Sequence, residues 1–313
     1  VDKVVNTEKK AIRQELLGYL QSDENEVDKK IWDTFVPNSS IALNKDMKFL
    51  IKNLKNLTPS VVRNFYKNAY IPSNITFIIL GNKSKRLHLV NQLKRKLIKT
   101  KSNNSVCNIY RLPKLNLIHN PKFVDITRSD MVKSSVWMVF AKPTDFSLRK
   151  ALILDMIGHI LTSSLGSTLY RILRIKEKLV YEIRSLLFHG PLFEYITFKF
   201  TCDTKKVNKV ILIIKKVIQD ISFTEKHFNG LKEMYLRDIK EDCSISSKGE
   251  NVSSQWIKYG KLESLVKIIN TINMKDILKE IKNVLIFKQV FIVHQSPNKF
   301  PVKQKDLLLN KLS

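Results

Sequence analysis

The stretch SSLGSTLYRILRIKEKLVYEIRS, residues 163–185, joins a helical pattern directly to a strand pattern and decides how this part of the chain folds. Arg174 and Tyr181 lie seven residues apart at this junction, at the end of the helix and the start of the strand. An Arg and a Tyr at such a place are most often structural, with Arg174 paired to Glu177 or Glu182 and Tyr181 packed in the core. If they bind a substrate instead, both side chains should converge on an open concave face.

The sequence around the junction predicts one α+β domain over residues 124–299, with helices packed against a sheet. Strands are predicted at 135–141, 181–189, 195–201 and 289–294, and helices at 145–161, 203–221, 224–242 and 272–285. A dinucleotide or nucleoside triphosphate site is not indicated, because the chain has neither a G-x-G-x-x-G nor a P-loop motif. Residues 113–123 are predicted to be a linker, and residues 300–313 a basic tail.

Residues 1–112 predict a separate first domain. Thr58 followed by Pro59 predicts a helix start, with a hydroxyl cap and proline at the first helical position. The short apolar run at 74–81 predicts an interior strand. The run at 83–101 has eight Lys or Arg and no acid, and its leucines keep helical spacing, so it predicts an amphipathic surface helix.

The segment VVNTEKKAIRQELLGYL, residues 4–20, predicts a helix whose apolar stripe includes Glu8 and Glu15. Burying an unpaired carboxylate is costly, so each glutamate should have a cation, a hydrogen-bond donor or a metal beside it. Seven residues make nearly two helical turns, so both carboxylates should point to the same side, toward a cavity. A metal site and salt bridges to buried Lys or Arg are the two alternatives.

The composition favours a globular protein with two domains, since the chain has 313 residues of which 43% are hydrophobic. The net charge of +27 favours anionic partners, but the lysines are spread over most segments and no aromatic residues interleave with the densest basic run. Nucleic-acid binding is therefore not predicted. Three distant cysteines indicate a reducing compartment, cytoplasm or organelle matrix, and no apolar run approaches the roughly 20 residues of a membrane span.

Three segments taken together resemble the pitrilysin/insulinase group of zinc metallopeptidases, which includes mitochondrial processing peptidase and small bacterial relatives. In that group an H-x-x-E-H motif is followed by two glutamates seven apart, and EKKAIRQE matches this pair with Glu8 and Glu15. The blocks FYKNAYIPSNITFIILGN and LRIKEKLVY resemble two later blocks of the group, the second being a helix that ends in Arg before an L-x-Y strand. The three segments keep the group's order over about residues 4–295.

The resemblance implies an α+β fold of two α/β sandwich domains of one type, the first incomplete at its N terminus. It implies peptide hydrolysis by zinc-activated water, with Glu15 as a zinc ligand and Glu8 supporting the site from outside the coordination sphere. Arg174 and Tyr181 would donate hydrogen bonds to the substrate carbonyl or the developing oxyanion. The implied partners are a peptide or unfolded polypeptide substrate and a second family member in a homo- or heterodimer.

The zinc-binding motif itself is absent from the chain. Its six histidines are isolated and follow Glu15, at His88, His119, His159, His189, His227 and His294. Because the motif should precede Glu8 and the chain begins at Val1, we expect an active parent to carry it upstream. The 313-residue chain alone should then be inactive and bind zinc weakly. The alternative is a non-catalytic homologue, a structural or substrate-holding subunit like the core subunits of the respiratory cytochrome complex.

Overall fold

The computed structural model describes residues 2–98, 113–163, 166–241 and 245–313. The chain divides into two compact units. The first comprises Val1–Lys114 with Cys243–Ser254, and the second comprises Leu115–Asp242 with Gln255–Ser313. All strands among the described residues belong to the second unit.

The first unit consists mainly of helices. They are α1 (Asp2–Leu20), α2 (Asp23–Phe35), α3 (Ser40–Leu43), α4 (Met47–Asn53), α5 (Pro59–Ala69) and α6 (Lys83–Ile98). The predicted start of α5 is confirmed, because Thr58 Oγ1 accepts a hydrogen bond from Val61 N at 3.3 Å and Pro59 is the first helical residue. The helix predicted over residues 4–20 is confirmed as α1.

The strand predicted at residues 74–81 is wrong for this structure. Pro72–Asn74 forms a 3₁₀ turn, and residues 75–80 have no regular secondary structure. A strand needs a hydrogen-bonded neighbour, and the described residues of the first unit provide no other strand. Ile75, Phe77 and Leu80 are accordingly exposed, although the run is as apolar as an interior strand.

The second unit contains five strands and most of the remaining helices. In chain order its elements are β1 (Lys122–Thr127), β2 (Ser134–Pro143), α7 (Leu148–Thr162), α8 (Thr168–Tyr170), β3 (Val180–His189), β4 (Phe193–Cys202), α9 (Val207–Gln219), α10 (Glu225–Glu241), α11 (Ile245–Tyr259, divided between the units), α12 (Leu265–Thr271), α13 (Met274–Val284), β5 (Phe291–Ser296) and α14 (Val302–Leu312). The four strands and four helices predicted here are confirmed within a few residues at their ends. The α+β class is thereby confirmed.

The strands form one mixed sheet in the order β1-β5-β2-β4-β3. β1 pairs with β5 in parallel, and the other neighbours pair antiparallel. β1 begins at Lys122, inside the segment predicted to be a linker at 113–123. β3, which begins at the helix–strand junction, lies at an edge of the sheet.

Helices pack on one face of this sheet to form the main apolar core. Phe198 and Phe200 of β4 point into it, together with Leu154 of α7. The approach of α7 to β3 is close, because a Cβ added at Gly158 would lie 2.6 Å from Ser185 Oγ. This packing holds the edge strand β3 in place behind the junction.

Residues 300–313, predicted to be a basic tail, form α14 over most of their length rather than a tail. Leu308 and Leu312 are buried in the main core, and Asn208 Nδ2 donates a hydrogen bond to Gln304 O at 3.1 Å. The lysines of this segment lie on other faces of the helix. This segment is therefore an amphipathic helix that packs beside α9 and β1, which its basic composition did not indicate.

Candidate functional site

Arg174 lies in a π-helical turn, Arg171–Lys176, that follows α8. The wider turn is seen in the hydrogen bond from Glu177 N to Ile172 O, five residues back, at 2.9 Å. π-helical turns are rare in proteins, and those that occur are often found at functional sites. Arg174 Nη1 donates to Val180 O at 3.0 Å, which fixes the exposed guanidinium against the first residue of β3.

Tyr181 is the extra residue of a β-bulge at the start of β3. Val180 pairs with Cys202 and Glu182 pairs with Thr201, so Tyr181 has no partner of its own on β4. A bulge disrupts the ladder locally and redirects the side chain. The Tyr181 side chain is consequently 44% exposed at the sheet edge and is not packed in the core.

The phenol of Tyr181 is surrounded by charged groups. Its O–H donates to Asp203 Oδ1 at 3.1 Å, and Lys206 Nζ lies 2.9 Å from Asp203 Oδ2. The hydrogen bond from Lys206, followed by that from Tyr181, lowers the pKa of Asp203, and Asp203 in turn raises the pKa of Lys206. Lys133 Nζ lies 3.1 Å from the centre of the Tyr181 ring, a cation–π contact.

Arg174 and Tyr181 line the same cavity, which has a volume of about 470 Å³. Its lining residues are Arg174, Ile175, Lys178, Leu179, Val180, Tyr181 and Lys206. Lys178 has a φ of 50°, a left-handed conformation that lets the chain turn sharply from the π turn into β3. The lining includes cations and no acid, and Arg174 retains N–H donors besides Nη1, so the cavity can donate hydrogen bonds to a carbonyl or carboxylate.

The purely structural alternative for this pair is not what the structure shows. Glu177 Oε2 lies 3.5 Å from Lys209 Nζ, and Glu182 Oε1 accepts a hydrogen bond from Thr201 at 3.1 Å. Among the described residues, neither glutamate forms an ion pair with Arg174. Arg174 and Tyr181 line one cavity, whereas the convergence of their side chains on one substrate group and their role stay predictions.

The expectation that Glu8 and Glu15 are buried in α1 is wrong. Both side chains are exposed, and the buried residues of this helix, Val5 and Leu16, lie on the neighbouring row of the helix surface. Glu15 Oε1 accepts a hydrogen bond from Tyr19 O–H at 2.8 Å, within the same exposed row. Neither carboxylate therefore needs a buried partner.

The residues present do not fit a complete zinc site. Within the described ranges, no group of three or more His, Cys, Asp or Glu side chains is placed to hold a metal ion. A catalytic zinc needs three protein ligands, and Glu15 offers one exposed carboxylate. The assignments of Glu15 and Glu8 to a zinc site stay predictions.

A buried network that links three strands was not predicted from the sequence. His294 of β5 is fully buried, its Nδ1 lies 2.6 Å from Asp125 Oδ1 and its Nε2 lies 2.8 Å from Ser134 Oγ. Burial lowers the pKa of His294, and this outweighs the opposing effect of Asp125. The arrangement resembles a Ser-His-Asp triad, but Ser134 is fully buried and its hydroxyl donates to Thr204 Oγ1 at 2.8 Å. The network thus joins β1, β2 and β5.

A second buried charge cluster was also missed. Lys142 Nζ lies 3.1 Å from Glu194 Oε1 and 2.5 Å from Glu280 Oε1, and His189 Nδ1 lies 3.2 Å from Glu194 Oε2. Burial opposes the charge on Lys142, but its bonds to the two glutamates outweigh this and raise its pKa. The available signal in the sequence was that several apolar segments each contain a polar residue. The sequence does not show which of these polar residues contact each other in the fold.

The second unit is an α+β domain with a mixed sheet, helices on one face and the Arg174–Tyr181 junction at its edge. The sequence model described as the peptidase M16 inactive domain matches residues 56–235, more than half of the chain. The chain belongs to the M16 peptidase family. This confirms the resemblance to pitrilysin/insulinase-type peptidases drawn from the three sequence segments.

Solved structures share this fold at low sequence identity. The periplasmic protease PqqL from Escherichia coli superposes with a TM-score of 0.73 and 14% identity, covering 100% of this chain and 37% of that chain. A peptidase M16 inactive domain from Pseudomonas fluorescens superposes with a TM-score of 0.69 and 12% identity, covering 95% of this chain and 71% of that chain. A chain of complex III2 from Candida albicans, with Inz-5 bound, superposes with a TM-score of 0.72 and 10% identity, covering 97% of this chain and 74% of that chain.

This chain thus spans 37% of the length of the PqqL chain. A search of curated protein sequences found no match. In the part of the chain that the structure describes, no helix has the length and apolar character needed to cross a membrane.

Proposed function

We propose that this chain binds an extended polypeptide at the junction cavity of its second unit and holds it for hydrolysis by an M16-type peptidase. The observation that supports this most strongly is the placement of Arg174 and Tyr181 on one cavity at the start of the edge strand β3. Both side chains can donate hydrogen bonds, and the family match is to a peptidase domain. The proposal keeps Arg174 and Tyr181 as residues that contact the substrate.

The edge strand suggests how a polypeptide would bind. β3 is an edge strand of the sheet formed by the described residues, so an extended peptide can add to it through main-chain hydrogen bonds. A peptide carbonyl near the start of β3 would then meet the N–H groups of Arg174 that Val180 O does not occupy. Such a bond involves a charged donor and contributes about 1.5–3 kcal/mol.

Tyr181 must exchange partners to take part. Its single O–H donates to Asp203, so donation to a substrate carbonyl requires the phenol to leave that carboxylate. Lys206 stays within 2.9 Å of Asp203 and keeps it paired after the exchange. The bond gained is a neutral one, so we expect a smaller contribution from Tyr181 than from Arg174.

The test is a titration of a fluorescently labelled, unstructured peptide followed by anisotropy. Arg174→Gln should weaken binding by about 10-fold or more and Tyr181→Phe by about 2- to 12-fold, from the free energies of charged and neutral hydrogen bonds. Arg171→Gln is the matched control, since Arg171 is an exposed arginine of the same π turn outside the cavity lining. Equal affinity of all four proteins would refute the proposal.

Zinc-dependent endopeptidase activity is the second candidate. The resemblance at Glu8 and Glu15 favours it, and both lie on one exposed side of α1. Because the described residues do not complete a zinc site, we expect the purified chain to bind zinc weakly and to leave an unstructured peptide intact. If the chain binds stoichiometric zinc tightly and hydrolyses the peptide, and Glu15→Gln loses both properties, then this chain is itself the catalyst and the substrate-holding proposal is wrong.

The proposed partner is a second M16-family chain in a homo- or heterodimer. The resemblance to the pitrilysin/insulinase group implies a second chain that closes around the substrate, and one structural neighbour is a chain of complex III2 from C. albicans. The mass of the native protein by analytical ultracentrifugation, with and without a co-expressed family member, tests this. A monomer under both conditions would contradict it.

A further inference from the structure

A second cavity of about 300 Å³ lies in the second unit, apart from the Arg174–Tyr181 site. It is formed by the turn between β3 and β4, the start of α7 and the end of α11. Its lining residues are Thr144, Phe146, Ser147, His189, Gly190, Pro191, Glu194, Ile257, Lys258 and Tyr259. None of them contributes to the proposed polypeptide site.

Two lining residues, His189 and Glu194, belong to the buried charge cluster around Lys142. Lys142 is paired with both Glu194 and Glu280, at 3.1 and 2.5 Å. Two carboxylates thus share one ammonium group. Buried charges are normally fully paired, and Lys142 alone does not balance both carboxylates.

Glu194 is the member of the cluster that reaches the cavity. It pairs across the β3–β4 ladder with His189, and both side chains line the cavity. The residue is only 3% exposed, and its Oε1 accepts no hydrogen bond from the described residues, having only the ion pair with Lys142. His189 Nδ1 lies 3.2 Å from Glu194 Oε2, so this oxygen has a hydrogen-bond donor beside it.

Two carboxylates lie close to Tyr259, and one of them, Asp145, is paired with Lys150, whose Nζ lies 2.5 Å from Asp145 Oδ2. Burial raises the pKa of Tyr259, and the charges of Glu194 and Asp145 raise it further. Lys258 is the one Lys or Arg in the lining, and among the described residues it forms no ion pair. Phe146 and Tyr259 add aromatic surface beside the carboxylate.

We propose that this cavity binds an organic cation, an ammonium or guanidinium group, whose charge pairs with Glu194. The group can be a Lys or Arg side chain or the α-amine of a polypeptide, since both present the same positive donor. A carboxylate at the bottom of a small, partly aromatic cavity is the arrangement that recognises such a group. The site would hold a basic group independently of what Arg174 and Tyr181 bind.

The test uses three small probes in titrations followed by NMR: N-acetyl-lysine methylamide, N-acetyl-norleucine methylamide and glycine methylamide. The first carries a side-chain ammonium, the second replaces it with a methyl group of similar shape, and the third carries only an α-amine. We expect at least one of the two amines to bind the native chain at least 10-fold more tightly than the norleucine probe. Which amine binds identifies the source of the cation.

Two variants change the affinity for the amine in opposite directions. Glu194→Gln should weaken it at least 10-fold, whereas Lys258→Met should strengthen it several-fold by removing a like charge from the lining. Glu241→Gln, at an exposed glutamate of α10, is the control and should leave the affinity unchanged. Equal binding of amines and norleucine, or unchanged affinity in Glu194→Gln, would overturn the proposal. If Glu194→Gln does not fold, an unchanged or weaker affinity in Lys258→Met would overturn it.

Discussion

Replacing Leu308 or Leu312 by alanine is expected to destabilise the second unit strongly, whereas the same change at Leu307 should have little effect. Leu308 and Leu312 are 1% and 0% exposed, while Leu307, on the same helix, is 54% exposed. Removing a buried leucine side chain costs about 2–5 kcal/mol, because apolar contacts are lost and a cavity is left. Truncating the half-exposed Leu307 should change the free energy of unfolding by about 0.5 kcal/mol or less.

Urea-induced unfolding followed by circular dichroism measures this difference. With a urea dependence of about 2 kcal/mol per molar, a loss of 3 kcal/mol lowers the unfolding midpoint by about 1.5 M. The midpoint of Leu307→Ala should stay within about 0.3 M of the native value. Three variants with the same midpoint would show that residues 300–313 form the basic tail expected from their composition, and would refute the packing of α14 on the core.

Three further predictions concern buried groups. His294 has a lowered pKa in the folded state, so the stability it confers is complete above its unfolded pKa and is lost as the pH falls below that value. The urea midpoint should therefore decline less on acidification in His294→Gln than in the native chain. Equal declines in the two proteins would contradict this. Gly158→Ala should cost about 1–3 kcal/mol by displacing Ser185, whereas Gly230→Ala, at an open position of α10, should stabilise; the reverse order of melting temperatures would contradict the packing of α7 on β3. Lys142→Met should cost about 3–5 kcal/mol in urea unfolding, because two buried carboxylates lose their cation, and a native midpoint would show that they are not buried together.

The helix–strand junction could be predicted because its signals are local. The apolar spacing before Arg174 and the strand pattern after Tyr181 lie within one short stretch, so sequence alone places both residues at the same end of β3. The bulge at Tyr181 could not be foreseen, since it depends on the register between β3 and β4. That register exposes the phenol, which the sequence could equally have buried.

The orientation of α1 shows where periodicity is insufficient. Apolar residues occupy two adjacent rows of this helix, one through Val4 and Ala11 and the other through Val5 and Leu16. The first row contains Glu8 and suggested a buried carboxylate, but the second row is the buried one. The two rows are offset by one residue along the helix, and tertiary packing determines which of them is buried. The periodicity of the sequence does not distinguish them.

Pairs distant along the chain were beyond prediction for another reason. His294 and Asp125 are 169 residues apart and meet because β1 pairs in parallel with β5. Sequence predicted the β5 strand, but neither β1 nor the order of strands in the sheet. Without the sheet order, His294 could be described only as one isolated histidine among six.

In the proposed function, Arg174 and Tyr181 donate hydrogen bonds to a main-chain carbonyl of a bound polypeptide. The most direct measurement is a double-mutant cycle in which a thioamide, a weaker acceptor, replaces one peptide carbonyl at a time and Kd is measured by anisotropy. We expect that at one position the thioamide weakens binding to the native chain by about 2- to 12-fold and has a smaller effect in Tyr181→Phe and Arg174→Gln. If every thioamide weakens binding equally in the native chain and in both variants, the two side chains do not contact a substrate carbonyl and the claim is contradicted.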